Sequence, residues 1–343
     1  MKKPDLAPFK ERFPLWGGDL QTIATALYRA KSVAPHDSER KTFKLADGDE
    51  LFAMLDRPKK PKSRRPLVIL IHGTPGSETS PYMIRMSLYL LDQGYRVLRL
   101  NLRGAGPSRE FCGGQYYAGS SADLGELLAL LPLKLPPDVT QDGVAAVGYS
   151  LGGAILLKYL GENGKRTPLC AAASVSAPID LLGTCRSLMR FRNTLYHCDL
   201  LRRMKREATA TGAILTDLER KNIRRSRNLF QYDDLFTAPR NKYAGAADYY
   251  AKCSAMNFLP TIEIPTLVLT SLDDPWVPGG AYSGYYWPSN KSLTVVPLLS
   301  PHGGHVGFHG VGGRQPWSDQ AVARFLADRQ ARAKAPVSRA AAA

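Results

Sequence analysis

Apolar and polar residues alternate in blocks along most of this chain, and the block lengths separate strands from helices. Leu67–Ile71 is an unbroken apolar run of strand length, as expected where both faces of a strand are covered. Tyr95–Leu102, Val144–Tyr149, Ala171–Val175, Thr266–Thr270 and Leu293–Leu298 read the same way. Between them fall helical patterns: Pro81–Gln93 closed by Gly94, Ser121–Leu131 stopped by Pro132, a run after Ser150, and Gln320–Arg332 at the end. Ahead of the first buried strand, Lys41–Leu45 and Leu51–Leu55 flank an Asp-Gly turn and predict a hairpin. Arg57–Pro66 reads as a surface linker. The alternation predicts an α/β fold, a mostly parallel central sheet flanked by helices on both faces.

The alternation stops between about residues 179 and 260. That interval is helical in pattern and rich in arginine (Arg186, Arg190, Arg202, Arg203 and Arg224 among them) and carries aromatics such as Phe191, Tyr196 and Phe236. It is too long for a crossover and reads as a helical cap insertion over the C-terminal edge of the sheet, where open α/β sheets bind ligands. The expected division is an irregular segment over 1–40, a core over 41–178 and 261–332, a cap over 179–260, and a disordered tail over 333–343.

Candidate chemistry centres on Gly148-Tyr149-Ser150-Leu151-Gly152-Gly153, a Gly-x-Ser-x-Gly stretch between a strand and a helix. In such a turn the serine hydroxyl stands exposed above the sheet edge, and the glycines leave room for the neighbouring backbone. Taken alone, the six residues also fit an ordinary tight turn. A nucleophilic serine needs a base, and the base a group to orient it; in this order of chain they follow as acid and then histidine, each after a strand. Asp273 and Asp274 follow Thr266–Thr270, and Asp274 is preferred because Pro275 fixes the turn behind it. His302, His305 and His309 follow Leu293–Leu298; His305 is preferred, set in Gly303-Gly304-His305-Val306-Gly307. His36 and His72 precede the serine and His197 lies in the cap, with His72 read as structural. Developing charge on a carbonyl oxygen calls for backbone N–H donors, expected at Leu151 and at Thr74; Pro75 has none to offer. Arg103, in Asn101–Gly106, reads as an ion-pair anchor at the edge of the site.

Composition changes this picture little. The chain of 343 residues is 44% hydrophobic, enough for a sizeable core, and no apolar run reaches membrane-spanning length. Five scattered cysteines form no Cys-x-x-Cys pair, which predicts neither a disulfide framework nor a zinc site. With no dinucleotide or phosphate-loop spacing and no apolar secretory core after Met1-Lys2-Lys3, no cofactor and no metal are expected, and the expected setting is cytoplasmic. The net charge of +16 matches no nucleic-acid motif; it allows peripheral contact with an anionic membrane.

Together, PLWGGDLQTI (14–23), HGTPGSETSPY (72–82), NLRGAG (101–106), YYAGSSADL (116–124), GYSLGG (148–153), DYYAKCS (248–254), PTLVLTSLDDPWVP (265–278) and GGHVGF (303–308) resemble the α/β-hydrolase superfamily. More narrowly they resemble its YheT-like branch, related to abhydrolase-domain esterases and lipases and to medium-chain ethyl-ester synthases. The resemblance covers about residues 13–330. It implies a serine hydrolase of short- to medium-chain or lipid-like carboxylic esters, with nucleophile at Ser150, acid in the Asp273-Asp274 pair and base at His305. The same residues would serve an acyltransferase that moves the acyl group to an alcohol. A non-catalytic protein that binds anionic membranes on a hydrolase scaffold is the reading from another class. The chain departs from the family at Thr74-Pro75, where many relatives carry further glycine, and in the arginines of the insertion.

Overall fold

The hairpin around Asp47-Gly48 forms as its alternation predicts: β1 (Ser38–Lys44) pairs antiparallel with β2 (Glu50–Asp56), with Phe43 opposite Leu51. The computed structural model describes residues 3–27, 37–62, 65–287 and 294–334. The apolar runs that follow become β3 (Leu67–Ile71), β4 (Arg96–Leu100), β5 (Val144–Tyr149), β6 (Leu169–Val175), β7 (Thr266–Ser271) and β8 (Val295–Ser300). Among the described residues these strands make one sheet in the order β1-β2-β4-β3-β5-β6-β7-β8. β1 to β2 and β2 to β4 are antiparallel, and every later pairing is parallel. From β3 the chain goes outward to β4, then crosses to β5 on the other side of β3. Such a switch opens a crevice beyond the carboxyl ends of β3 and β5, where Gly73 and Ser150 follow.

The helices close both faces. They begin with α1 (Gly17–Leu27), α2 (Pro81–Asp92), α3 (Ser121–Lys134), α4 (Pro137–Thr140) and α5 (Leu151–Asn163). The strand period of two divides the core. Leu67, Ile69, Ile71, Val144 and Ala146 face Leu124, Leu127 and Ile155 of α3 and α5. Val68, Leu70, Ala145 and Val147 face Met83, Met86 and Leu90 of α2 and Phe325 of the terminal helix Trp317–Lys334. α3 runs through Pro132 to Lys134, past the expected stop. Proline removes one donor in the last turn, and the turn still closes through Leu135 N–H to Leu131 O at 2.9 Å.

Between β6 and β7 the described chain is helical: α6 (Leu181–Leu188), α7 (Thr194–Ala208), α8 (Asp217–Arg225), α9 (Leu229–Tyr232), a π-helical turn Asp233–Thr237, α10 (Ala238–Arg240) and α11 (Ala246–Cys253). α6 is capped by Asp180, and α8 by a reciprocal Thr216–Glu219 capping box. These helices share an apolar cluster of their own (Leu181, Leu200, Ile223, Phe236, Tyr249), which meets Leu151 and Trp276 of the strand-end loops. After β7, α12 (Gly280–Ser283) precedes β8, and α13 (Trp317–Lys334) ends the described chain.

One expectation is corrected. Residues 1–40 read as irregular, yet α1 is helical, and it is inside out. Its polar residues Gln21, Thr22 and Thr25 are buried, while Leu20, Ile23 and Leu27 face outward. The buried side chains find backbone partners: Gln21 Nε2 donates to Leu15 O and His309 O, and Thr25 Oγ1 to Val306 O. Such a helix shows no apolar stripe directed at a core, so periodicity misses it. The terminal helix Trp317–Lys334 runs two residues into the tail expected over 333–343; the rest of that tail, and His36, lie outside the described residues.

A buried ion pair ties the hairpin to the parallel sheet. Arg99 grips Asp56 with two bonds of 2.6 and 3.0 Å, and Ser87 Oγ donates to the same carboxylate at 2.6 Å. Removing one partner strands the other charge in the core, at a cost of about 3–5 kcal/mol. Asp56→Ala is therefore expected to lower the urea unfolding midpoint markedly, and an unchanged midpoint would count against this account.

Candidate active site

The turn after β5 explains the Gly-x-Ser-x-Gly spacing. Ser150 sits at φ 49° and ψ −123°, a conformation an L-residue holds only when its surroundings impose it. A Cβ at Gly148 would lie 2.5 Å from Gly152 O, and one at Gly152 would lie 2.3 Å from His72 O. No other residue fits either position without moving backbone. The serine is thereby lifted to the start of α5, and its N–H bonds back to Val175 O at 2.9 Å.

The loops after β7 and β8 meet it there. His305 Nε2 lies 3.0 Å from Ser150 Oγ, and His305 Nδ1 lies 2.8 Å from Asp274 Oδ2. With Nδ1–H donating to the carboxylate, the lone pair of Nε2 faces the hydroxyl. The other oxygen of Asp274 accepts the backbone N–H groups of Trp276 and Val277 at 2.8 and 3.0 Å, so both carboxylate oxygens are engaged. Asp273 turns elsewhere: it accepts Gly304 N–H at 3.0 Å and lies 3.2 Å from Nδ1 of the exposed His302. Of the histidines weighed from sequence, only His305 among the described residues reaches Ser150.

The remaining histidines hold structure. His72 is buried between Gly73 O, 2.8 Å from Nδ1, and Leu102 N–H, 3.1 Å from Nε2. Burial lowers its pKa to about 4, so it stays neutral. His309 Nε2 lies 3.0 Å from Thr25 Oγ1, and burial likewise lowers its pKa to about 4. His197 accepts Leu229 N–H within the helical segment. Arg103 is an anchor as expected, spanning Asp49, Asp47 and Asp123.

Sequence reasoning missed the residues that hold His305. Its backbone N–H donates to Thr22 Oγ1 at 2.8 Å, so the buried face of α1 grips the loop. Ser271 Oγ donates to Gly304 O, and Val306 N–H to Ser176 Oγ. The indole of Trp276 stacks on the imidazole with centroids 4.6 Å apart and planes 20° apart. Thr22 lies 283 positions from His305 in the chain, and no local pattern joins them.

Ser150, Leu151, Thr74 and His305 open into a cavity enclosing about 1010 Å³ of atom-free space, its open mouth included. Leu151 is the first residue of α5, so its N–H has no partner within the helix. Gly73 brings the β3 loop against the serine; a Cβ there would lie 2.8 Å from Ser150 Cβ. Much of the cavity wall comes from the helical segment, with Leu188, Leu200, Met204 and Leu229 among its residues. A hydroxyl hydrogen-bonded to an imidazole, beside the open N–H of Leu151 and under an apolar roof, is an arrangement suited to acyl transfer from an ester.

Comparison with known proteins identifies the family and the fold. A family model described as the alpha/beta hydrolase fold matches residues 66–309. The Escherichia coli (strain K12) protein YheT is 31% identical over 319 residues, covering 90% of this chain and 89% of its own. Human phospholipase ABHD3 is 26% identical over 320 residues, covering 91% and 76%. Among solved structures, the Pyrococcus furiosus esterase Pf2001 superposes with a TM-score of 0.57 at 17% identity, over 85% of this chain and 92% of its own. The 2,6-dihydroxy-pseudo-oxynicotine hydrolase does so with a TM-score of 0.60 at 18% identity, over 92% and 73%. On a matched family model and a relative aligned along nine-tenths of both chains, the protein belongs to the α/β-hydrolase family, in its YheT-like branch.

Proposed function

We propose that this α/β-hydrolase is an esterase that cleaves carboxylic esters through an acyl-serine intermediate. The observation that carries the reading is the hydrogen-bonded series Ser150–His305–Asp274 at the mouth of the cavity. Ser150 Oγ attacks the ester carbonyl as His305 Nε2 takes its proton, and Asp274 stabilises the imidazolium through Nδ1–H. Thr74 and Leu151 N–H groups hold the oxyanion. Collapse breaks the bond to the alkoxy oxygen, which leaves with the proton from His305. Water then enters by the same route: its oxygen bonds to the acyl carbon as His305 takes its proton, and His305 returns that proton to Ser150 Oγ as the acyl–oxygen bond breaks and the acid departs. Relatives named phospholipase, monoacylglycerol lipase, and ethyl ester synthase/esterase support an ester substrate with lipid character. Residues 179–260 act as the cap that shapes the acyl site.

The outer surface beside the site supports delivery from a lipid surface. Leu20 and Ile23 of α1, with Phe13 and Trp16 ahead of it, stand exposed, as do Phe191 and Leu195 of the helical segment. Arg192 and Tyr196 both bond Asp19 of α1, at 2.8 and 3.1 Å, which joins the two apolar groups. Exposed apolar residues within a surface of net charge +16 fit an anionic bilayer.

Ser150→Ala is expected to lower kcat/KM for a short-chain ester by about 10⁴-fold or more and to abolish labelling by a fluorophosphonate; ester turnover that survives the substitution would refute the mechanism. Thr22→Val, which removes the bond to the His305 loop without touching substrate, is expected to lower kcat about tenfold with KM little changed. A change confined to KM would show that Thr22 does not position the base. The wild type is expected to co-sediment with phosphatidylglycerol vesicles, and less so after Leu20→Glu with Ile23→Glu or at high salt. Sedimentation indifferent to both would remove the bilayer from this account.

A further inference from the structure

The cavity at Ser150 has a charged inner wall. Two carboxyl groups, Glu207 at the end of α7 and Asp233 in the π-helical turn, line it together with apolar and aromatic residues. Each accepts a phenol, and Asp233 accepts the Thr237 hydroxyl as well. Tyr116 Oη donates to Glu207 Oε2 at 2.9 Å, and Tyr250 Oη donates to Asp233 Oδ2 at 2.6 Å. A carboxylate can accept about four hydrogen bonds, so each group on this cavity wall keeps acceptor capacity beyond these partners.

Among the described residues neither group forms an ion pair. The nearby cations are already engaged. Arg240, on the same wall, pairs with Glu219 at 2.5 Å and donates to the carbonyls of Gly113 and Ile214. Arg109 attracts Glu207 but spends its guanidinium on the carbonyls of Gly104, Cys112 and Gly114. Burial pushes Glu207 up to about 7 and Asp233 up to about 6, the shift expected of carboxyls short of positive charge. A protein of net charge +16 thus keeps two acids without an ion-pair partner inside the cavity that opens at Ser150.

The same wall presents the rings of Tyr232, Phe236, Tyr249 and Tyr250. Aromatic faces beside carboxylates attract a weakly hydrated cation: the ring quadrupole and the carboxylate charge act together once water is displaced. A hydrocarbon chain would leave both acids without solvation, and an anionic group would be repelled. We propose that this inner wall is a subsite for an alkylammonium group of the substrate, remote from the bond that is cut. The proposal rests on the ester-cleavage reading and narrows it to esters with a cationic end.

Three esters and one binding measurement test it at pH 8, where both acids are ionised. Butyrylcholine and its uncharged carbon isostere 3,3-dimethylbutyl butyrate differ in charge and little in shape, and p-nitrophenyl butyrate reports ester cleavage as such. In the wild type, kcat/KM for the choline ester is expected to exceed that for the isostere by about tenfold or more. The ratio should fall towards one in Glu207→Gln with Asp233→Asn, and part of the way in each single variant. A ratio near or below one in the wild type, or unchanged in the variants, overturns the subsite. Calorimetry of butyltrimethylammonium on the Ser150→Ala protein separates the two readings. Binding that the paired carboxyl substitutions abolish supports the subsite even if none of the three esters is cleaved, an outcome that would defeat the ester reading alone. No binding there overturns the subsite.

Discussion

Everything at the candidate site follows from one strained turn. Ser150 is held at positive φ because β5 enters and α5 leaves with their backbones almost touching, and Gly148 and Gly152 make that approach possible. The turn sets the hydroxyl at the start of a helix, beside an N–H that the helix leaves free. The parallel sheet supplies the rest of the precision. Registered strands end at the same edge, so the loops after β3, β5, β7 and β8 converge there. Had β7 slipped by one residue, its side chains would have changed faces and Asp274 would have pointed away from His305.

Around that edge, polar groups are engaged one by one. Asp274 has its second oxygen taken by two backbone N–H groups, which leaves a single oxygen for the imidazole. His305 is held at its backbone by Thr22, on its face by Trp276 and at its loop by Asp273 and Ser271. The adjacent aspartates therefore divide the work: one orients the ring, and the other shapes the loop that carries it.

Much of this was legible in the chain. The buried strands announced themselves because a parallel sheet needs apolar side chains on both faces, and β3 and β5 have the limits their apolar runs suggest. Ser150, Asp274 and His305 could be read from their places after strands, and the structure brings the three within hydrogen-bonding distance. What escaped was long-range or inverted. Trp276 followed the chosen aspartate, but nothing local said its ring would lie on His305. Nothing in the sequence marks Glu207 among the charges of α7; the fold places it on the cavity wall. α1 hid because its buried face is polar, and a hydrophobic pattern cannot report a helix that is held by hydrogen bonds.

That inverted helix bears on how the protein is handled. A short, proline-flanked stretch with outward Leu20, Ile23 and Leu27 looks like a leader to be trimmed for better behaviour in solution. Trimming it would leave the sheet intact and remove Thr22 from the loop that carries the imidazole. Gly304, whose missing Cβ would lie 2.3 Å from Gly18 O, would lose the surface it rests on. The shortened protein would carry a loosened base, and its low activity would be charged to the wrong end of the chain.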